Sequence, residues 1–355
     1  MHGIPYSSRE TMNFSETDTV NEGKLLEESD LALLDALQVN PRASWTALAE
    51  VLDLAPISLA RRWQRLTEEG AAWTTVALGH THGGALVEYG CRPGTADRVA
   101  QRLAALPHLV TVCVTTGEHQ VFGLLSATSP ASATRMITEC PPELEDVLSV
   151  RISVYTKVFG GIIWRLGVIN RRQAEHLRDP LGEPPARLRP FGAADRALFL
   201  ALTGDGRRSY TELAEELNTS AQAVKRRLDR LRRNGDIVFR CDLARPLAGW
   251  ESMAMFWLSA PTTELDAIGA RLGAFPETRH CSSTTGTANM LLIASLHGPD
   301  QLDELALRIA REHPEVAIVE RKLMLRQVKV YGRMLDGNGC CVRTISVDPW
   351  YQGEQ

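Results

Sequence analysis

The sequence repeats itself at a fixed offset of 165 residues. Seventeen of the 41 positions in 30–70 are identical, without a gap, to their equivalents in 195–235, among them Asp30 with Asp195 and Ser44 with Ser209. A segment that recurs in this way is one structural unit used twice. The 355 residues also exceed the usual domain length of about 100 to 200 residues. The chain is therefore predicted to contain two to four domains, arranged as a duplication.

Each copy of the repeat has the apolar spacing of three short helices. The first helix is predicted over 30–38 and again over 195–203. Ser44 and Ser209 are natural N-caps for a second helix, and a tight turn of small or polar residues separates it from the third. Two short helices joined by such a turn, with a basic second helix, are typical of a helix-turn-helix. The alternative is a three-helix bundle whose basic face is simply solvated.

The third helix of the second copy is the more basic of the two. Residues 221–235 carry a net charge of +5, whereas 56–70 carry +1. In the second copy Val224, Leu228 and Leu231 form one apolar stripe, which leaves the opposite face to polar and basic residues. Because cationic side chains neutralise phosphates, the second copy is predicted to bind DNA more strongly, and the first is predicted to be weak or mainly structural.

Composition and motifs exclude several other classes of protein. The net charge of -4 argues against a protein that coats nucleic acid non-specifically. No signal peptide and no apolar run of membrane-spanning length is present, so we expect a cytoplasmic protein with no membrane partner. The seven cysteines lack metal-ligand spacing and are expected to be reduced thiols. His80, His82 and His280 form no convincing ligand set, and nucleophile and phosphate-loop motifs are missing. We therefore expect no metal, no cofactor and no enzymatic activity.

After each helical region the pattern reads strand, helix, strand, strand, helix, strand, which is the ferredoxin-like order. In the first copy these elements are predicted over 85–91, 95–105, 109–115, 121–127, 130–139 and 150–158. In the second copy they are predicted over 253–260, 263–274, 279–283, 290–296, 299–312 and 323–330. The predicted fold class is thus α+β, with two winged helix-turn-helix domains alternating with two ferredoxin-like (βαββαβ) effector domains.

The domain boundaries follow from this pattern and from a proline-rich stretch between the copies. The predicted segments are a disordered N-terminal tail (1–28), the first helix-turn-helix (29–78), the first effector domain (79–170), a linker (171–193), the second helix-turn-helix (194–245), the second effector domain (246–335) and a C-terminal tail (336–355).

Three motifs recur in both copies: the segments beginning Arg42-Ala-Ser-Trp and Arg207-Arg-Ser-Tyr, the Arg-Arg-x-x-Arg-Leu runs ending at Leu66 and Leu231, and the Thr-Gly strand connections. Through these motifs, each copy resembles a transcriptional regulator of the Lrp/AsnC, or feast/famine, family. This resemblance implies a regulator that binds double-stranded DNA and responds to a small effector, commonly an amino acid, held where the effector domains pair. Ordinary members carry one unit and dimerise, whereas this chain holds two units that could pair as an intramolecular pseudo-dimer and assemble further into a homo-oligomer.

Candidate DNA-contacting residues lie on the second and third helices of each copy. In the second copy, Ser220 is expected to cap the third helix, with Gln222 and Arg226 among the residues reaching base edges. The full candidate set there is Ser209, Tyr210, Thr211, Ser220, Ala221, Gln222, Lys225, Arg226, Arg227, Arg230, Arg232 and Arg233. In the first copy it is Ser44, Thr46, Ser58, Arg61, Arg62 and Arg65.

Candidate effector-binding residues lie at the two Thr-Gly connections: Thr116, Gly117, Glu118, His119, Thr285, Gly286 and Thr287. The acidic loop usual in the family is altered here to Glu118-His119-Gln120 and Thr287-Ala288-Asn289, which weakens the case for an amino-acid ligand. The alternative is that the loops are plain hairpins without a ligand. Two rival functions stay open. Siroheme decarboxylases resemble paired units of this family and bind a tetrapyrrole, and an interaction scaffold would use the first copy to recruit a protein.

Overall fold

The computed structural model describes residues 25–79, 83–138, 144–161, 164–178 and 191–351. The expected N-terminal tail falls outside these residues up to position 24, as do His80, His82 and Cys140. In the described part of the chain, no helix is long and apolar enough to cross a membrane.

In the described residues, the first unit contains six helices and five strands. In chain order these are α1 (Glu28–Val39), α2 (Trp45–Leu52), α3 (Pro56–Glu68), β1 (Ala72–Leu78), β2 (Gly84–Cys91), α4 (Ala96–Ala104), β3 (Leu109–Thr115), β4 (Val121–Ser126), α5 (Pro130–Thr138), β5 (Val147–Gly160) and α6 (Arg171–Leu177).

The second unit repeats this order of helices and strands from its first helix to its long last effector strand, and adds a 3-10 helix and two short strands. Its elements are α7 (Ala193–Thr203), α8 (Tyr210–Glu216), α9 (Ala221–Arg233), β6 (Ile237–Leu243), a short 3-10 helix (Arg245–Ala248), β7 (Ser252–Ser259), α10 (Leu265–Gly273), β8 (Thr278–Thr284), β9 (Met290–Leu296), α11 (Gln301–Glu312), β10 (Ala317–Val330), β11 (Arg333–Leu335) and β12 (Cys341–Thr344). The mixed α and β architecture predicted from the sequence is confirmed.

The effector strands of both units join in one closed barrel. The sheet order is β10-β3-β4-β2-β5-β8-β9-β7, and β10 also pairs with β7, which closes the ring. The last strand of each effector region therefore also pairs with the other region: β5 with β8, and β10 with β3. Side chains such as Phe122, Met255 and Trp257 fill the interior. Because the two regions share one barrel, the pairing expected of a pseudo-dimer is present within the chain.

A second sheet links the two helix-turn-helix regions. Strands β1 and β6 pair antiparallel, with Thr75 opposite Arg240. We call this pair of strands the ribbon. Each strand of the ribbon completes the core of the other region: Leu243 of β6 packs with α1 to α3, and Val76 of β1 packs with α7 to α9. The two helical regions are therefore interlocked.

Parts of the expected linker and of the expected C-terminal tail form secondary structure. The expected linker begins with α6, which is capped by Asn170 and packs on the first helix-turn-helix through Ala174 and Leu177. Residues 179–190 of that linker lie outside the described part. The expected C-terminal tail adds β12 to the sheet and buries Val347.

Candidate nucleic-acid interface and effector surfaces

Helix α9 forms as the sequence predicts. The Ser220 hydroxyl oxygen accepts a hydrogen bond from the backbone N–H of Ala223 at 3.2 Å, which satisfies one of the free donors at the helix start. Val224, Leu228 and Leu231 are buried, so one face is fixed against α7 and α8. The opposite face is free to meet a partner.

The exposed face of α9 carries four of the predicted contact residues: Gln222, Lys225, Arg226 and Arg233. The N-terminal ends of α8 and α9 lie beside them and expose Ser209, Thr211 and Ser220. Lys225 forms an ion pair with Asp229 at 2.8 Å, one turn along the helix. This face thus combines cations with hydrogen-bonding groups, which suits both phosphates and base edges.

Other predicted residues of the second helix-turn-helix face inward. The Nε of Arg227 lies 3.4 Å from Asp195, and Arg230 also binds that carboxylate, which is buried in α7. Arg232 lies over the ring of Phe239. Tyr210 and Ala221 are half-buried. Their side chains are used, at least in part, to hold the domain together.

The first helix-turn-helix has the same internal ion pairs but a different exposed face. Arg62 and Arg65 both bind Asp30, at 2.6 and 2.8 Å. The remaining candidates, Ser44, Thr46, Ser58 and Arg61, are exposed. At the positions of Gln222 and Lys225 the first copy has Ile57, which is 64% exposed, and Ala60. The difference in net charge between the third helices of the two copies is therefore a difference between the exposed surfaces of α3 and α9.

The two Thr-Gly connections are hairpins between neighbouring strands. Thr115 closes the first by donating its hydroxyl to the carbonyl of His119 at 3.0 Å, and Thr284 closes the second by donating to Ala288 at 3.1 Å. Each hairpin also contacts the other unit: Thr116 bonds the backbone of Leu323, and Thr285 bonds that of Val154. The predicted effector residues thus lie where the two effector regions meet.

Sequence reasoning missed an ion-pair network beside the first hairpin. Lys322 and Glu88 are each 1% exposed and lie 2.8 Å apart, and Glu320 binds Lys322 and Arg151. Burial raises the pKa of Glu320, but its hydrogen bond with Arg151 and the charge of Lys322 outweigh this effect and lower the pKa below its usual range. A methylene of Lys322 lies 3.2 Å from where a Cβ on Gly117 would stand. Charged side chains of this chain therefore surround the first hairpin.

Comparison with protein families identifies the same units. An AsnC-type helix-turn-helix domain matches residues 26–67 and again 193–232, and the Lrp/AsnC ligand binding domain matches 253–334. These matched domains are of the Lrp/AsnC type. The two helix-turn-helix matches confirm the duplication, and the domain composition of the chain is that of a DNA-binding transcriptional regulator.

Two curated relatives each match a stretch of about the length of one unit. An uncharacterized HTH-type transcriptional regulator of Pyrococcus horikoshii is 26% identical over 150 residues, which is 42% of this chain and 94% of that protein. A second, from Pyrococcus abyssi, is 27% identical over 139 residues, which is 39% of this chain and 87% of that protein.

Solved structures of a siroheme decarboxylase match both units together. The crystal structure of the siroheme decarboxylase NirDL superposes with a TM-score of 0.56 over 86% of this chain and 93% of that chain, at 15% sequence identity. At this identity the match shows a shared tandem fold and nothing about activity.

Proposed function

We propose that this protein regulates transcription by binding double-stranded DNA mainly through α9, with the first helix-turn-helix as a weaker contact. The observation that carries the proposal is the contrast between equivalent positions. Gln222, Lys225 and Arg233 are exposed in the second copy, where the first copy has Ile57, Ala60 and Glu68. Location in the cytoplasm, with access to DNA, and assembly into homo-oligomers are parts of this proposal.

The contact roles divide according to exposure. Gln222 and Arg226 lie near the N-terminal half of α9, the part of a recognition helix that reaches base edges. Lys225 and Arg233 are placed to bind phosphates. Arg227, Arg230 and Arg232 stay as secondary phosphate candidates, because they are half-exposed while engaged within the domain.

The sharpest test compares Arg226→Ala with Arg61→Ala, since these arginines are equivalent in the repeat and both are exposed. A mobility shift on the DNA upstream of the protein's own gene is the measurement. We expect Arg226→Ala to weaken binding by about 5- to 150-fold, the range for a base-contacting arginine, and Arg61→Ala to weaken it much less. Equal losses would contradict the unequal roles, and no loss for Arg226→Ala would overturn its assignment.

The effector role is proposed for the two hairpins and their surroundings. A small polar ligand, such as an amino acid, would lie beside Thr116 to His119 or beside Thr285 to Thr287, at the junction of the effector regions. Calorimetric titration with a panel of amino acids tests this. Heat of binding that disappears in Thr285→Ala supports it, and silence across the panel favours plain hairpins.

A siroheme decarboxylase is the second candidate, favoured by the match to NirDL across both units. The regulator is preferred because helix-turn-helix models match both copies and α9 presents a basic exposed face. Absorption spectra of the protein titrated with siroheme separate the two. A stoichiometric spectral shift followed by release of carbon dioxide would establish the enzyme, whereas an unchanged siroheme spectrum would remove it.

A further inference from the structure

A cluster of buried arginines lies between the ribbon and the barrel. Arg240 of β6, Arg245 of the 3-10 helix and Arg279 of β8 are at most 9% exposed and line one cavity. The carboxylate of Asp242 binds Arg240 through both oxygens, at 3.1 Å each. In the described part of the chain, Arg245 and Arg279 have no carboxylate at ion-pair distance. The cavity is therefore lined by more positive than negative charge, which is unfavourable inside a protein unless another anion balances it.

The guanidinium of Arg279 has unused donors. Its Nη1 donates to the carbonyls of Pro276 and Thr278, at 3.2 Å each. Its Nε and Nη2 are buried and bond to nothing among the described residues. The ring centroids of Trp164 and Trp250 lie 3.3 and 5.1 Å from the Cζ atom of Arg279, so the two rings hold the guanidinium in place. Burial, together with the charge of Arg245, lowers the pKa of Arg279 to about 7.

Two of these arginines are not shared by the first copy of the repeat. Strand β3 pairs with β4 as β8 pairs with β9, and Leu109 and Thr278 occupy equivalent positions in these pairs. The residue that follows is Val110 in β3 and Arg279 in β8. Likewise, Thr75 is the repeat equivalent of Arg240. The first unit folds with neutral side chains at both positions. Two of the three arginines thus belong to the second unit alone, as expected for a site rather than a structural element.

The rest of the cavity is mainly apolar and small. Leu86, Phe122 and Ile293 form part of its wall, and its volume is about 60 Å³. This volume accommodates about five ordered water molecules, since one water molecule needs about 10 to 15 Å³ on the same measure. A second cavity of about 50 Å³ shares Leu124, His280 and Tyr331 with it. The space suits a small molecule, with an anionic group at one end and a short apolar tail.

We propose that this cavity is a binding site for a small carboxylate with an apolar tail, whose carboxylate is bound by Arg279 and Arg245. The planar guanidinium fork of Arg279 presents its unused Nε and Nη2 donors in the geometry that a carboxylate accepts. The apolar tail lies against the barrel interior. This site is separate from the two Thr-Gly hairpins.

The position of the cavity gives the ligand a regulatory role, and this part rests on the proposed DNA-binding function. Arg245 lies two residues after the end of β6, a strand of the ribbon that completes both helix-turn-helix cores, whereas Arg279 belongs to the barrel. An anion between them binds both parts at once. It therefore favours one arrangement of the DNA-binding regions relative to the barrel over others.

The test measures the thermal unfolding temperature (Tm) of the full chain, without DNA, in acetate, butyrate, hexanoate or inorganic phosphate at equal ionic strength. Butylamine serves as a probe with the same tail and the opposite charge. We expect butyrate or hexanoate to raise Tm by about 5 °C near saturation, acetate to act only at higher concentration, and butylamine to do nothing. A response to phosphate alone, or to no anion, would overturn the proposal.

Two variants connect the response to the site. Arg279→Met removes the charge but keeps most of the length, and it should abolish the response to butyrate without lowering Tm in chloride, since it also removes an unbalanced buried charge. Arg326→Met removes an arginine on the outside of the barrel that binds Asp97, and it should keep the full response. If Arg279→Met fails to fold, Arg279→Lys replaces it, and its affinity for butyrate should fall at least tenfold.

The affinity for DNA is measured in a separate experiment, so that failure of the ligand site and failure of the proposed DNA-binding function give different results. If butyrate raises Tm and also changes the affinity for the upstream DNA, both proposals stand. If it raises Tm in a protein that does not bind DNA, the site stands and the proposed function fails. A response to butyrate that persists in Arg279→Met contradicts the assigned site.

Discussion

Arg42 and Arg207 occupy equivalent positions in the two copies of the repeat, and each makes the equivalent contacts to the other copy. Arg42 donates to the carbonyls of Gly206 and Arg208, and Arg207 donates to those of Pro41 and Ala43. Each guanidinium also lies over an aromatic ring of the other copy, Arg42 over Tyr210 and Arg207 over Trp45. The two helix-turn-helix regions are therefore fixed to each other by a reciprocal pair across the pseudo-twofold axis.

Replacing Arg207 should destabilise the pairing of the two regions. Arg207→Ala removes two hydrogen bonds at 2.7 and 2.9 Å and leaves the carbonyls of Pro41 and Ala43 with poorer partners. We expect a loss of about 2 to 4 kcal/mol in the free energy of unfolding, measured with urea. Arg171→Ala removes an exposed ion pair on α6 and should change it by less than about 0.5 kcal/mol. Equal effects of the two changes would contradict the role of Arg207.

The sequence predicted the elements that depend on neighbours in the chain. The caps at Ser44, Ser209 and Ser220 accept the expected backbone hydrogen bonds. The apolar stripe of α9 is buried as its spacing indicates. These features are local, so the periodicity and the capping residues are enough to identify them.

The sequence could not predict features that depend on the other unit. Strand β10 begins at Ala317, six residues before its predicted start at 323, and the added part contains Glu320 and Lys322. Their charges are balanced by Arg151 and Glu88 of the first unit, a relationship that no local pattern shows. The excess of positive charge around Arg279 could not be predicted either, because it depends on residues that are distant in the sequence.

Asp195 should be important for the stability of the second helix-turn-helix. It is 5% exposed and holds Arg227 and Arg230, whose side chains are 38 and 32% exposed. Because solvent screens these partners, we expect Asp195→Asn to cost about 1 to 2 kcal/mol rather than the larger loss of a fully buried pair. Asp229→Asn, which removes only the surface pair with Lys225, should cost about 0.3 kcal/mol. Chemical unfolding measures both, and a larger loss for Asp229→Asn would contradict this ranking.

The salt dependence of DNA binding should report the cations of α9. If Lys225 and Arg233 each neutralise a phosphate, the double variant Lys225→Ala, Arg233→Ala should reduce the slope of log K against log salt by about 2. The control is Arg171→Ala, Arg172→Ala, which removes two exposed arginines from α6. Fluorescence anisotropy at several salt concentrations gives the slopes. A change no greater than in the control would contradict the phosphate roles.

The C-terminal segment should stabilise the second helix-turn-helix. The ring of Trp350 lies 5.3 Å from that of Phe191 and 5.4 Å from that of Phe199, and nearby Asp348 binds Arg196 at 2.9 Å. Because Trp350 is only half-buried, we expect Trp350→Ala to cost about 2 kcal/mol, with Trp350→Phe recovering part of it. Thermal unfolding tests this, and an unchanged Tm in Trp350→Ala would show that the segment is not needed.

His108 should make stability fall in weak acid. Its side chain is 3% exposed and stacks on Tyr351, with ring centroids 5.0 Å apart. Burial, assisted by the charge of Lys329, lowers the pKa of His108 to about 4 from a usual value of 6.5. Below pH 6.5 the unfolded chain therefore binds a proton that the folded protein does not, so stability decreases as the pH falls towards 4 and the histidine contribution is lost across that window.

The loss from this one group is about 3 kcal/mol when the pKa difference is converted at about 1.4 kcal/mol per unit. The comparison is with His108→Phe, which keeps an aromatic ring against Tyr351 but cannot bind a proton. Unfolding in urea between pH 7 and pH 4.5 should show a steeper loss for the unmodified protein than for His108→Phe. His176→Gln, which changes an exposed histidine, should follow the unmodified protein. Parallel curves for all three proteins would show that His108 is protonated in the folded state as readily as in the unfolded chain.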